Sequence, residues 1–267
     1  MYKLRLGRSI NFLGETFYDM LKEARNLGFD SMDLDLCGKC AHREEEIEGY
    51  KNLEKGLKAV KASGLYFNGV HISFGKHWNF GSDIEEQRCE AMENFKEIVP
   101  LIDQYSPFCY VIHGSSEPIA DEKRPAQIAA LKRSLAELTA VTQTPIALES
   151  LPRTCLFNTA QEGIGIIDGI KNIFVCVDVN HFLKEDSADA VLALGSRIIT
   201  THISDHDYIN ERHWLPGQGK IDWQRLIGAL ETIGYHGVFN YESAGSFAEI
   251  KENYRRLFDQ YNQNCHQ

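Results

Sequence analysis

The sequence predicts an α/β fold built as a single (β/α)8 barrel, the TIM-barrel architecture, over residues 1–267 as one domain. Three observations carry the prediction. Eight short β-rich runs alternate with eight helical patterns, which reads as βα units on a parallel sheet. The 267 residues match the roughly 250 that one such barrel needs. The segments GFDSMDLDL, GLYFNGVHIS and GYHGVFNYES repeat one grammar, a glycine at a helix end followed by a strand.

The elements follow in order. The first strand covers residues 4–10 and leads through RSINFLGET into a helix over 16–27. A doubly wound open sheet would want a glycine-rich phosphate turn at that junction, and RSINFLGET has none. The second strand, 31–36, carries Asp33 and Asp35, and the next helix spans 50–63. Strands 66–73 and 108–114 bring His71 and His113, with helix 84–104 between them. After helix 126–142, strand 145–150 delivers Glu149; after helix 159–170, strand 174–179 delivers Asp178, with His181 three residues on. Helix 188–194 precedes strand 198–204, which brings His202, and strand 238–243 brings Glu242. Helices 223–233 and 247–261 complete the set. In the former, Trp223, Leu226, Ile227 and Leu230 recur at helical spacing, and Asp222 is placed to cap its first N–H groups. Gly28, Gly64 and Gly234 directly follow helical patterns, as C′ glycines do.

Composition excludes several function classes. Apolar residues make up 43% and charged residues 25%, a globular balance that lets a chain this long bury a core. No run nears the ~18 apolar residues of a membrane span, and MYKLRLGRSINF has no signal-peptide core, so a cytoplasmic protein is expected. The net charge of −10 and the absence of Lys/Arg clusters longer than two residues argue against nucleic acid as a partner. The seven cysteines are scattered, so no disulfide scaffold is expected. Cys37-Gly-Lys-Cys40 is a CxxC without the second pair that a structural zinc site needs, and is read as an incidental loop pair.

Chemistry emerges at the strand ends, which converge on one face of a parallel barrel. His71, His113, Glu149, Asp178, His181, His202 and Glu242 become one cluster there. Acidic and imidazole groups aimed at a common axis repel or desolvate one another unless a cation binds between them. Glu149, Asp178, His202 and Glu242 are therefore expected to hold a metal ion. Three carboxylates and one imidazole favour one divalent ion, Mn²⁺ first, with Mg²⁺, Co²⁺ or Zn²⁺ as alternatives.

The motifs ALES (147–150), VDVNH (177–181), HISD (202–205), HWLPGQGKIDW (213–223) and NYES (240–243) resemble the xylose isomerase-like barrels. That superfamily includes sugar phosphate isomerases and epimerases as well as endonuclease IV. The resemblance implies one ion on Glu149, Asp178, His202 and Glu242, and a contact from His181 to a substrate oxygen. It also implies a homodimer or homotetramer.

The expected activity is isomerisation or epimerisation of a small sugar, sugar phosphate or related polyol through an enediolate. Glu149 and Glu242 approach from different strands, so that one removes a proton and the other returns it. His71, His113, His181, His213, Asp35 and Trp78 are the candidate substrate-binding residues, with Phe80, Phe12 and Trp214 as further aromatic candidates at the barrel mouth. Lys76 and Arg153 are candidate phosphate ligands; Asp205 and His206 are expected at the pocket rim. The alternative is an endonuclease IV-like multi-zinc phosphodiester hydrolase, with His71, His113, His181, Glu211 and His213 as additional ligands. A dehydratase or lyase acting on inositol-like substrates uses the same metal-enolate chemistry. A non-catalytic sugar-binding barrel would relax the ligand set, which is intact here.

Overall fold

In the computed structural model, residues 1–11, 16–36 and 53–264 are described. The eight strands are β1 (Arg5–Asn11), β2 (Ser31–Asp35), β3 (Tyr66–His71), β4 (Cys109–Ile112), β5 (Ile146–Glu149), β6 (Ile173–Asp178), β7 (Ile198–Ile203) and β8 (Val238–Tyr241). They pair in parallel in chain order, and β8 closes on β1. Eight α-helices among the described residues fill the intervals: α1 (Phe17–Asn26), α2 (Leu53–Ser63), α3 (Glu85–Asp103), α4 (Arg124–Leu138), α5 (Ala160–Ile167), α6 (Ser187–Leu194), α7 (Trp223–Thr232) and α8 (Phe247–Asn264). The predicted barrel is therefore the observed one. No helix among the described residues is long and apolar enough to cross a membrane. Cys37, Cys40, Cys265 and Phe12 lie outside the described residues.

Local signals behave as the sequence implies. Gly28, Gly64 and Gly234 follow α1, α2 and α7 with φ of 78°, 73° and 69°, the left-handed region where a side chain costs energy. The Asp222 carboxylate accepts from the Gln224 and Arg225 amides and starts α7.

Strand parity sorts the core into two parts. On β6, Val175 and Val177 join the large apolar layer between sheet and helices, while Cys176 packs with Cys109, Val111 and Ala147 in a small separate cluster. The same parity turns Glu149 and Asp178 inward, two residues beyond Ala147 and Cys176. Asp178 lies opposite His202 in the β6–β7 register, so these two share a level.

The barrel interior also contains a buried polar group. Asp33 is 1% exposed, and Asn68 Nδ2 donates to both its oxygens at 2.8 and 3.0 Å and to Thr200 Oγ1 at 2.9 Å. Gly69 makes room for it: a Cβ there would stand 2.6 Å from Asp33 Oδ2. Burial raises the Asp33 pKa to about 6, against the opposing pull of His202 and the Asn68 hydrogen bonds.

A raised carboxylate pKa means the folded state binds more protons than the unfolded chain, so stability falls as pH rises towards and through about 6. Asp33→Asn removes this dependence. Urea unfolding at pH 5 and pH 7 should show the variant gaining about 1 kcal/mol on the wild type over that interval. An unchanged difference would mean that Asp33 stays ionised at both pH values.

Candidate active site and metal centre

Seven of the predicted residues meet at the carboxyl ends of the strands. His71 and Glu149 are the last residues of β3 and β5, Asp178 is the last of β6, and His202 lies near the end of β7. His113, His181 and Glu242 follow β4, β6 and β8 by one to three residues. Glu149, Asp178 and His202 are almost wholly buried, whereas the Glu242 side chain remains 33% exposed. Above them opens a cavity of about 740 Å³ lined in part by His71, Phe74, His113, Glu149, His181 and Glu242.

Ligand atoms of Glu149, Asp178, His202 and Glu242 all lie within 4.8 Å of one another. His202 Nδ1 faces two carboxylates, 3.2 Å from Glu149 Oε1 and 2.6 Å from Glu242 Oε2. The hydrogen bond goes to Glu149, and Glu242 Oε2 is left without one. Asp178 Oδ2 is buried without a hydrogen-bond partner, its Oδ1 being taken by the Asn180 amide at 2.8 Å. The nearest cation-capable group to that oxygen is His181 Nδ1 at 3.3 Å, whose proton goes to the Ser150 carbonyl; buried carboxylate oxygens without a hydrogen bond are costly, and a divalent ion bonded to all four side chains would remove the cost. The donor set fits such an ion.

Two further groups flank this one. His71, His113 and Glu149 form the first, with Glu149 Oε2 2.9 Å from His71 Nε2 and 3.1 Å from His113 Nε2. His181, Glu211 and His213 form the second, with His181 Nε2 3.3 Å from Glu211 Oε2. Backbone carbonyls set the histidine tautomers: Nδ1 of His71, His181 and His213 lies 2.8, 2.8 and 3.1 Å from the oxygens of Ile72, Ser150 and Glu242. A carbonyl only accepts, so each Nδ1 carries the proton. The Nε2 atoms of His71 and His181 then face carboxylates, a contact that requires a second proton or a cation.

The electrostatics follow. Burial alone would lower the pKa of His71, but the charge of Glu149 outweighs it and brings the group to about 9. His181 reaches about 10 against the same penalty, through Asp178 and Glu211. Burial lowers His113. Burial also opposes ionisation of Glu149, yet His202, His113 and His71 together hold it well below the carboxylate range. In Asp178 burial prevails and raises the pKa to about 6.

Several expectations are corrected. Trp78, expected to stack on substrate, is 1% exposed, and Phe80 is wholly buried. A 3-10 turn, Lys76–Trp78, points the indole into the core beside Phe80, with ring centroids 6.5 Å apart. Among the described residues, the phenylalanine lining the cavity is Phe74, stacked on His113 at 4.4 Å. The sequence signal for it is its place three residues after His71. Asp35 closes β2 beside His71 in register and does not line the cavity. Arg153 is committed to protein partners: its Nε lies 2.8 and 3.0 Å from the Glu117 oxygens and its Nη1 2.9 Å from Glu211. Glu117, not anticipated from sequence, thereby joins the rim.

Asp205 and His206 are wholly buried and do not form the rim. The Asp205 carboxylate accepts from the amides of His206, Gly217, Gly219 and Ile221 and from the Trp223 indole, at 2.7 to 3.2 Å. Its backbone pairs with that of Trp214 in both directions. One side chain therefore folds the loop from β7 to α7 back on itself and holds His213, at φ 49°, where its ring meets the Glu242 carbonyl.

Comparison with known proteins bears on the family and the fold. The family model "Xylose isomerase-like TIM barrel" matches residues 21–260. A D-psicose 3-epimerase from Enterocloster bolteae is 25% identical over 79% of this chain and 71% of its own. An inosose isomerase from Bacillus velezensis is 27% identical over 79% and 81%. The crystal structure of a D-tagatose 3-epimerase-like protein superimposes with a TM-score of 0.80 at 19% identity, covering 98% of this chain and 100% of that one, which establishes a shared fold.

Asp205→Ala leaves several buried N–H donors unpaired, each worth about 1–3 kcal/mol. The variant should lose roughly 3–5 kcal/mol in chemical unfolding, and amide exchange should accelerate across residues 206–221. A loss below about 1 kcal/mol would show that the loop is held by other contacts.

Proposed function

The chain belongs to the xylose isomerase-like TIM barrel family, and from that premise we propose that it is a divalent-metal-dependent epimerase or isomerase of a small sugar or related polyol. One observation carries the reading. Glu149 and Glu242, on β5 and just after β8, both line the cavity and both belong to the four-residue set that fits an ion. A ketose and an inosose, named for the relatives' activities, share a carbonyl beside a carbinol carbon whose proton is removable.

When bound, the ion supplies the Lewis acid that polarises that carbonyl and acidifies the neighbouring C–H bond. An oxygen-rich donor set favours Mn²⁺, then Mg²⁺ or Co²⁺, with Zn²⁺ also compatible. Glu149 and Glu242 reach the substrate carbon from different strands, so one takes the proton and the other returns it. Return to the opposite face of the same carbon is epimerisation; return to the adjacent carbon is isomerisation. His71 and His113 hold Glu149 ionised and in place through its Oε2. His181, its ring fixed by the Ser150 carbonyl, presents Nε2 and Glu211 to a substrate hydroxyl. Phe74 covers the apolar face of the bound molecule.

A second reading, a multi-zinc phosphodiesterase, draws on the two flanking groups, whose carbonyl-anchored histidines would also suit further ions. The net charge of −10 and a rim bearing Glu117 and Glu211 disfavour a polyanionic substrate. One ion per chain by elemental analysis supports the sugar reading, and three zinc ions support the alternative.

The test is exchange in deuterated water with saturating Mn²⁺ and a panel of free and phosphorylated ketoses and inososes, followed by proton NMR. Wild-type protein should exchange one carbon-bound proton as it turns substrate over. Glu149→Gln and Glu242→Gln should each lower turnover by about 10²–10⁴-fold while keeping the native circular dichroism. Either variant retaining most of its activity would remove that residue from the acid–base pair.

A further inference from the structure

We propose that Arg153 is a positioning residue of this site: it aims the Glu211 carboxylate at the substrate hydroxyl that His181 meets. The proposal rests on the sugar reading above. Its basis is the way the two oxygens of Glu211 are divided. Oε1 lies 2.9 Å from Arg153 Nη1, and Oε2 lies 3.3 Å from His181 Nε2. The ring of His181 is fixed from its far side, with Nδ1 2.8 Å from the Ser150 carbonyl. Arg153, Glu211, His181 and Ser150 therefore form one chain of contacts from the rim to the end of β5.

Arg153 can position another side chain because it is itself held at several points. Its Nε donates to Glu117 at 2.8 and 3.0 Å, and its Nη2 donates to the same carboxylate. Its Nη1 also donates to Asn210 Oδ1 at 3.2 Å. The Arg153 carbonyl accepts from Asn158 Nδ2 at 2.7 Å, which pins a backbone turned to φ 52°. One guanidinium thus joins the loops after β4, β5 and β7. Its planar fork serves two carboxylates at once, which the single ammonium of a lysine does not. Without it Glu211 loses its cationic partner at the rim, and a glutamate side chain has several rotamers in which to leave His181.

The backbone that carries Glu211 has its own supports. The Ile209 and Asn210 amides donate to Asp207 Oδ1 at 2.9 and 2.8 Å. The Glu211 amide donates to Asn210 Oδ1 and the Arg212 amide to Asn180 Oδ1, both at 3.1 Å. Loss of the guanidinium therefore frees one carboxylate and leaves the loop in place. Ion pairs this close to solvent add little to stability. The consequence of Arg153 is read in substrate binding.

The experiment has two arms, both on Mn²⁺-loaded protein. In the first, the crystal structure of Arg153→Ala should keep the backbone of residues 206–221 and show Glu211 withdrawn from His181. Glu211 Oε2 still within hydrogen-bond distance of His181 Nε2 overturns the proposal. In the second, kinetics on the sugar that wild-type protein uses best separate KM from kcat. Arg153→Ala should raise KM about 10-fold while kcat changes less than about threefold, the pattern of lost substrate binding. Arg153→Lys keeps the charge without the fork and should raise KM by at least about threefold. It also serves as the test if the alanine variant does not fold. A double-mutant cycle shows what Arg153 acts through: with Glu211→Gln in place, Arg153→Ala should change KM by less than about twofold. An undiminished effect in that background means that Arg153 touches substrate itself, and a wild-type KM in the Arg153 variants means that it has no role in binding. Either overturns the proposal. Wild-type protein that turns over no sugar defeats the sugar reading instead, and the crystallographic arm still decides whether Arg153 aims Glu211.

Discussion

Three carboxylates and an imidazole crowded together at the carboxyl ends of the barrel strands cannot stay there as bare charges, and the rest of the structure is arranged around that constraint. Glu149 and Asp178 are buried almost completely, yet Asp178 Oδ2 has no hydrogen-bond partner and His202 Nδ1 is wedged between Glu149 and Glu242. A hydrophobic protein interior does not tolerate such a set without compensation. A divalent ion would supply that compensation, and the proposed chemistry follows from where the ion would have to sit. Of the four side chains, Glu149 and Glu242 reach the cavity, and Asp178 and His202 lie beneath it.

Support for these four side chains comes mostly from backbone. Parity on β5 and β6 turns Glu149 and Asp178 inward, and the β6–β7 register sets Asp178 beside His202. Carbonyls of Ile72, Ser150 and Glu242 fix the rings of His71, His181 and His213, so that tautomer and orientation are decided before any ligand arrives. Farther out, Arg153 ties Glu117 to Glu211, and Asp205 ties five donors of one loop together. Rigidity at the rim and preorganisation at the floor thus have one origin, polar groups satisfied within the chain.

Much of this was legible in the sequence because a parallel barrel converts position into location. Any polar residue at the carboxyl end of a strand arrives at the same face, so Glu149, Asp178, His202 and Glu242 could be assembled without coordinates. The misreadings fall on the loops beyond those ends, where parity no longer holds. Trp78 and Phe74 both follow β3, and only the turn at Lys76–Trp78 decides that the indole goes into the core while the phenyl ring meets the cavity. Asp205 and His206 follow His202 just as closely, but the folding-back of their loop buries them. Arg153 was read as a free cation because its partners, Glu117 and Glu211, lie 36 and 58 residues away in the chain.

The most direct test of the central claim is anomalous diffraction from crystals grown with Mn²⁺, recorded at the manganese edge. The arrangement requires a strong peak bonded to Glu149, Asp178, His202 and Glu242 together. An absence of density there, or a peak held only by His181, Glu211 and His213, would contradict it.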